Sequence, residues 1–303
     1  MIRLCIALIC CVFFAVALVS CGEADTTPSP TPGDSERFGW PATIRIGLVP
    51  AEGGTDIVER LSPLLGHLES TLGVPVEAFS ASEYIGIITA MQNDQVDVAY
   101  LGPKSYVEAE RIAGAVAIAK QLNTDGEPGY YGIIVTNAST GITELAQARG
   151  RTFGFVTPNS TSGFLVPSIG IVETVGEPAE SFFGEIRYTG SHGNAVRAVL
   201  AGDLEVAATN TLDLKAMEAA GLDASGLVEL WRSELIPGAL FAVRDDLPPS
   251  FGAAVADAIV SFSSDAAAMQ EMSRGGYVHA DDSEYDVIRV LEERRSGLVG
   301  DGG

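Results

Sequence analysis

Two hydrophobic periods succeed each other along most of the chain. Residues 43–48 (T-I-R-I-G-L) alternate as a half-buried strand does; Leu61, Leu64, Leu65, Leu68 and Leu72 then share one face of a helical run over 56–72. Ser62-Pro63 inside that run predicts a fresh helix start, with Ser as cap and Pro at the first position. A strand over 74–79 follows, then a helix to about residue 93, capped by Ser82 and carrying Ile85, Ile88 and Met91. Residues 96–101 read as a buried strand that stops at Gly102-Pro103, before a helix over 105–112 and strands over 116–122 and 131–136.

The second half repeats the alternation. Strands over 152–156, 185–188 and 206–210 are each followed by a helix, over 164–175, 194–201 and 213–220. Strands over 227–231 and 239–243 precede closing helices over 249–262, 266–274 and 283–294. Strands alternating with helices predict parallel sheet, hence an α/β fold, here in two lobes. Breaks near 136–143 and 232–237 would let the chain leave the first lobe and return. That division assigns 43–135 and 237–296 to lobe 1, 136–236 to lobe 2, and 297–303 to a disordered tail.

The N-terminus changes the picture from fold to compartment. Arg3 precedes an apolar stretch over 4–18, short for a membrane span, that ends in Leu18-Val19-Ser20-Cys21. Small residues before a Cys mark a lipoprotein signal, with 1–20 removed and Cys21 lipidated; an uncleaved anchor or ordinary secretory signal is the alternative. Processing would also remove Cys5, Cys10 and Cys11, leaving no thiol for a disulfide or a Cys-ligated metal. Residues 21–42, rich in Thr, Pro, Ser and acids, read as a flexible tether.

Charge excludes some partners. The formal balance is -22, and losing Arg3 with the acid-free segment 1–20 makes the mature chain -23. Nucleic acid and anionic lipid surfaces repel such a body, so membrane attachment would come from the lipid alone. An anion could still bind through short-range dipoles. No cofactor or metal site is expected, because the only histidines, His67, His192 and His279, lie far apart in sequence.

Candidate chemistry sits at two strand-to-helix turns. Pro158-Asn159-Ser160-Thr161-Ser162-Gly163 places hydroxyls and free N–H groups where a helix begins, a natural oxyanion cradle; the plainer reading is that Ser160 or Ser162 caps that helix. About thirty residues later Gly190-Ser191-His192-Gly193-Asn194 repeats the arrangement with an imidazole. In an open α/β sheet two such turns can face one pocket.

These residues carry a family resemblance. Asp97 to Ser105 (D-V-A-Y-L-G-P-K-S), Pro128-Gly129-Tyr130, the P-N-S-T-S-G-F-L-V-P block over 158–167, Gly190-Ser191-His192 and Leu235-Ile236-Pro237-Gly238 closely resemble the phosphonate-binding proteins of bacterial ABC importers, which include phosphite binders. The match runs from about residue 44 to 288. It implies a type II periplasmic-binding-protein fold with two hinge crossovers, whose closure traps the ligand for a permease with a cytosolic ATPase. Carried over position by position, the resemblance puts ligand contacts on Ser160, Thr161 and His192 in lobe 2 and on Tyr84 and Tyr130 from lobe 1 and its edge, with Ser162 and Ser82 nearby. Family members that take 2-aminoethylphosphonate use two carboxylates for the ammonium. An ungapped alignment puts Leu212 and Ala239 there, implying a ligand without an amine: phosphite, methylphosphonate or phosphate. A one-residue gap before Asp213 would restore one carboxylate, and Asp213 pointing inward would also accept a proton from phosphate.

Two other classes stay open. A secreted serine hydrolase would use Ser160 or Ser162 with His192, although no G-x-S-x-G elbow and no orienting acid can be assigned. A binding lobe serving a sensor in place of a permease is the other.

Overall fold

The computed structural model describes residues 37–50 and 56–299. The signal and most of the tether expected over 1–42 therefore lie outside the described residues. Eleven strands are present among these: β1 (Ile44–Leu48), β2 (Val76–Ser80), β3 (Val98–Leu101), β4 (Ala115–Leu122), β5 (Gly129–Asn137), β6 (Thr152–Phe155), β7 (Glu185–Tyr188), β8 (Val206–Asn210), β9 (Leu227–Pro237), β10 (Leu240–Arg244) and β11 (Gly276–His279). The helices are α1 (Asp56–Arg60), α2 (Ser62–Leu72), α3 (Tyr84–Gln92), α4 (Pro103–Ala113), α5 (Val166–Val175), α6 (Ala179–Phe182), α7 (His192–Ala201), α8 (Thr211–Ala219), α9 (Pro249–Phe262), α10 (Ala266–Glu271) and α11 (Asp286–Val299).

Two sheets result, a six-stranded one in the order β11-β4-β10-β3-β1-β2 and a five-stranded one in the order β7-β6-β8-β5-β9. Both are mixed: β1 is parallel to β2 and β3, and β6 to β7 and β8, while β10 and β5 run antiparallel to their neighbours. This is the two-lobed type II periplasmic-binding-protein architecture.

Each lobe has its own packing. Ile44, Ile46 and Leu48 of β1 are buried with Leu64 and Leu68 of α2 and Phe251, Val255 and Ile259 of α9, as the alternation in β1 and the leucine face of α2 require. Phe153, Phe155, Phe164, Phe182 and Phe183 fill the other lobe, with the rings of Phe153 and Phe183 stacked at 4.3 Å.

Several sequence expectations change. The strand read at 131–136 as the last of lobe 1 is β5, which lies inside the second sheet between β8 and β9. The outward crossover therefore falls between β4 and β5, at 123–128, and not near 136–143. The return lies between β9 and β10, and the two crossovers touch, the Gly238 N–H donating to the Pro128 carbonyl at 3.1 Å. Glycine is required at both: a Cβ on Gly129 would stand 2.3 Å from the Ile236 carbonyl oxygen, and one on Gly238 equally close to that of Gln121. Packing begins inside the expected tether, where Trp40 meets Phe251 edge-on at 5.5 Å and donates from Nε1 to Ser250. At the other end α11 continues to Val299, past the start of the expected tail.

Candidate functional site

The strand-to-helix turn after β6 is built by its own hydroxyl. Ser160 is extended (φ -83°, ψ 134°) and its Oγ accepts from the Gly163 N–H at 3.0 Å, so residues 161–165 wind as one wide π turn before α5 begins at Val166. Close packing leaves no alternative at Gly163, where a Cβ would lie 2.3 Å from Val156 Cγ2. At the second turn Ser191 caps α7, accepting from the Asn194 N–H at 3.1 Å, which places His192 at the helix start with its ring buried. Tyr84 is the first residue of α3, and Tyr130 sits on β5 next to the outward crossover. Ser82 does not cap: Glu83 holds that position in extended conformation and no side chain closes the turn.

All six residues expected from sequence, Tyr84, Tyr130, Ser160, Thr161, Ser162 and His192, line one cavity of about 50 Å³ between the lobes. Each is at least nine-tenths buried. The Tyr130 hydroxyl meets those of Ser162 and Thr161, and the Tyr84 hydroxyl meets that of Ser160. Burial, reinforced for Tyr84 by nearby Asp213, pushes both phenols above their usual range, so they stay neutral donors. Burial likewise lowers His192 against an opposing pull from Asp213, leaving a neutral imidazole.

The lobes are joined through the same residues. Thr161 Oγ1 accepts from the backbone N–H of Lys104 in the first turn of α4 at 2.8 Å, and Ser105 Oγ donates to the Asn159 carbonyl at 2.9 Å.

Sequence reasoning missed several lining residues, Arg274 and Asn210 among them, and left Asp213 open. Arg274 enters the cavity from the turn before β11, where Ser273 has φ 54° and reverses the chain. The cradle thus includes a cation. Burial works against the charge of Arg274, but Tyr100, Tyr277 and Asp213 outweigh it and hold the guanidinium above its usual range. Nearby Arg60 is pushed down to about 10 by burial and by Arg274. Asp213 also lines the cavity, beside Leu212 and Ala239. Its Oδ2 accepts from Asn210 Nδ2 at 2.6 Å while its own N–H donates to Asn210 Oδ1 at 2.8 Å, capping α8.

Ser160, His192 and Asp213 together do not build a hydrolase relay. The Ser160 hydroxyl lies 3.3 Å from His192 Nε2, and Asp213 Oδ2 approaches that same nitrogen at 3.9 Å. A relay needs the acid on one ring nitrogen and the nucleophile on the other, and here Nδ1 is buried with no hydrogen-bond partner.

Comparison with known proteins identifies the family. Residues 46–285 match the model of the phosphonate ABC transporter periplasmic substrate-binding proteins. The phosphate-import protein PhnD of Mycolicibacterium smegmatis is 29% identical over 298 residues, 94% of this chain and 89% of its own. The phosphonates-binding periplasmic protein of Escherichia coli is 31% identical over 238 residues, 77% of this chain and 69% of its own. Among solved structures, the binding component of an ABC phosphonate transporter from Pseudomonas aeruginosa superposes with a TM-score of 0.79 at 28% identity, covering 86% of this chain and 89% of that one. The chain belongs to the periplasmic substrate-binding proteins of phosphonate ABC transporters.

Proposed function

We propose that this protein, lipid-anchored at Cys21 outside the cytoplasmic membrane, captures a small phosphorus oxyanion such as phosphite or methylphosphonate. It then delivers the ion to an ABC permease driven by a cytosolic ATPase. One observation carries the reading: hydroxyls of Tyr84, Tyr130, Ser160, Thr161 and Ser162 converge with His192 on a cavity of about 50 Å³. That volume holds roughly three to five waters, which suits an oxyanion of four or five heavy atoms and leaves little room for an aminoethyl arm.

Donor chemistry supports capture without catalysis. Five or six bonds from neutral donors to an anion, each worth about 1.5 to 3 kcal/mol, exceed the costs of closure and desolvation and leave micromolar or tighter affinity, about -8 kcal/mol. Leu212 and Ala239 line the cavity as apolar walls, so an ammonium would have Asp213 as its one carboxylate there. Calorimetry with methylphosphonate, phosphite and 2-aminoethylphosphonate tests the preference, and tightest binding of the aminated ligand contradicts it. The anchor is tested separately by Cys21→Ala, which should move the protein from the membrane to the soluble fraction.

Phosphate is the second reading. The inward carboxylate of Asp213 favours it, as does likeness to a phosphate-import protein.

A further inference from the structure

Besides the two crossovers, the last helix makes a third link between the lobes. Just ahead of α11, the Tyr285 hydroxyl donates to the Gly238 carbonyl of the return crossover at 3.1 Å. The first half of α11 is tied to the first lobe, Arg289 Nη2 pairing with Glu110 of α4 at 2.6 Å. One turn on, Glu292 Oε1 meets Lys104 Nζ, also of α4, at 2.8 Å. Ile288 and Leu291 of the same helix join the apolar cluster that holds Leu165, Val166 and Ile169 of the second lobe.

The end of α11 reaches the turn that carries the cradle. The Arg295 guanidinium stands 4.2 Å from the centre of the Phe164 ring, and its Nε is buried without a hydrogen-bond partner, so the aromatic face is its contact. Phe164 belongs to the π turn over 161–165 and is fixed in the second lobe's aromatic core, edge-on to Phe155 at 5.1 Å. Neither Glu292 nor Arg295 lines the oxyanion cavity; with Lys104, Pro158 and Phe164 they line a separate cleft of about 800 Å³.

We propose that α11 is an interlobe strap in which Arg295 is a positioning residue: it holds the turn over 158–165 against α4 and favours the closed cradle without touching the ligand. The inference rests on the oxyanion reading of the cavity and adds how closure is held. Two relationships make the coupling specific. Lys104 presents its backbone N–H to Thr161 Oγ1 and its ammonium to Glu292, so the residue that receives the turn is itself gripped by α11. Phe164 and Thr161 share the π turn, so a shift of the ring moves the hydroxyl. Contacts made only when the lobes are together raise ligand affinity by the factor by which they favour the closed state. Neighbouring Arg294 bonds Glu173 of α5, but as an exposed ion pair it adds little.

Calorimetry with methylphosphonate, stopped-flow release and small-angle scattering of the purified protein test the strap, with wild type beside Arg295→Ala, Arg295→Lys and Arg294→Ala. Arg295→Ala should raise Kd about three- to tenfold, chiefly through faster release, and should enlarge the unliganded molecule. Arg295→Lys, which keeps a cation over the ring, should stay within about threefold of wild type. Arg294→Ala removes the same charge and should change Kd by about twofold at most. Equal losses in Arg294→Ala and Arg295→Ala would assign the effect to long-range charge and overturn the strap, as would unchanged Kd and release in Arg295→Ala. If Arg295→Ala fails to fold, Glu292→Gln decides: faster release is expected from loosening the grip on Lys104, and an unchanged rate counts against the strap. Wild type that binds no phosphorus oxyanion defeats the oxyanion reading itself. Scattering of unliganded Arg295→Ala then decides the strap, a larger radius of gyration than wild type supporting it and an equal one overturning it.

Discussion

Thr161 Oγ1, on the second lobe, accepts a hydrogen bond of 2.8 Å from the backbone N–H of Lys104 on the first. A hydroxyl that accepts at one lone pair has its single proton left to donate, and here the donor direction is set by a group on the opposite lobe. Donation to the ligand and contact between lobes are thus properties of one side chain. Thr161→Ala should weaken oxyanion binding by roughly ten- to a hundredfold, and small-angle scattering with ligand should show a more open molecule. Thr161→Ser should retain both. Closure unaffected by Thr161→Ala would remove the coupling.

Tyr84 and Tyr130 bury their rings while their hydroxyls meet those of Ser160, Ser162 and Thr161. Tyr130→Phe or Tyr84→Phe removes the donor and leaves the packing. Each should cost about tenfold in affinity with thermal stability nearly unchanged. A stability loss equal to the binding loss would reassign the hydroxyl to the fold.

His192 is buried neutral, with burial depressing its pKa below the unfolded value. A base depressed on folding takes its proton more readily in the unfolded chain, so its contribution is complete above about pH 6.5 and is lost as pH falls toward the folded pKa. Denaturant unfolding across that interval should show wild type losing stability faster than His192→Gln. Parallel curves would mean the imidazole is not held neutral.

Gly163 touches both the fold and the cradle. A Cβ there would meet Val156 at 2.3 Å and Ser160 Oγ at 2.8 Å, so Gly163→Ala should destabilise by about 1 to 3 kcal/mol and displace the cap that shapes the π turn. Binding should weaken beyond what the lower melting temperature explains. Normal affinity would show that the turn tolerates rearrangement.

Local rules made much of this molecule legible. The leucine face of α2, the helix restart at Ser62-Pro63 and the hydroxyl-rich turn before α5 follow from rules that act within a few residues, although Ser62 is the first helical residue of α2 and not its cap, a position Leu61 holds with no side-chain bond. Pairing between distant strands does not. β5 looks the same whichever sheet receives it, and only its ladders with β8 and β9 show where the chain crosses. Arg274 was hidden for a similar reason. A helical reading of 266–274 put it on a helix end, whereas α10 stops at Glu271, Ser273 turns with positive φ and the short strand β11 follows. Asp213 was visible as a residue, but whether it or Leu212 faced the cavity depended on a one-residue register, and the cap by Asn210 brings both to the wall.

The central claim is that donors from two lobes converge on one phosphorus oxyanion. Isothermal titration with methylphosphonate near neutral pH tests it most directly, comparing wild type with Thr161→Ala, His192→Ala and Tyr130→Phe. The account predicts one site of micromolar or tighter affinity in wild type and weaker binding in all three variants. Unchanged affinity in all three, or no binding by wild type to any phosphorus oxyanion, would contradict it.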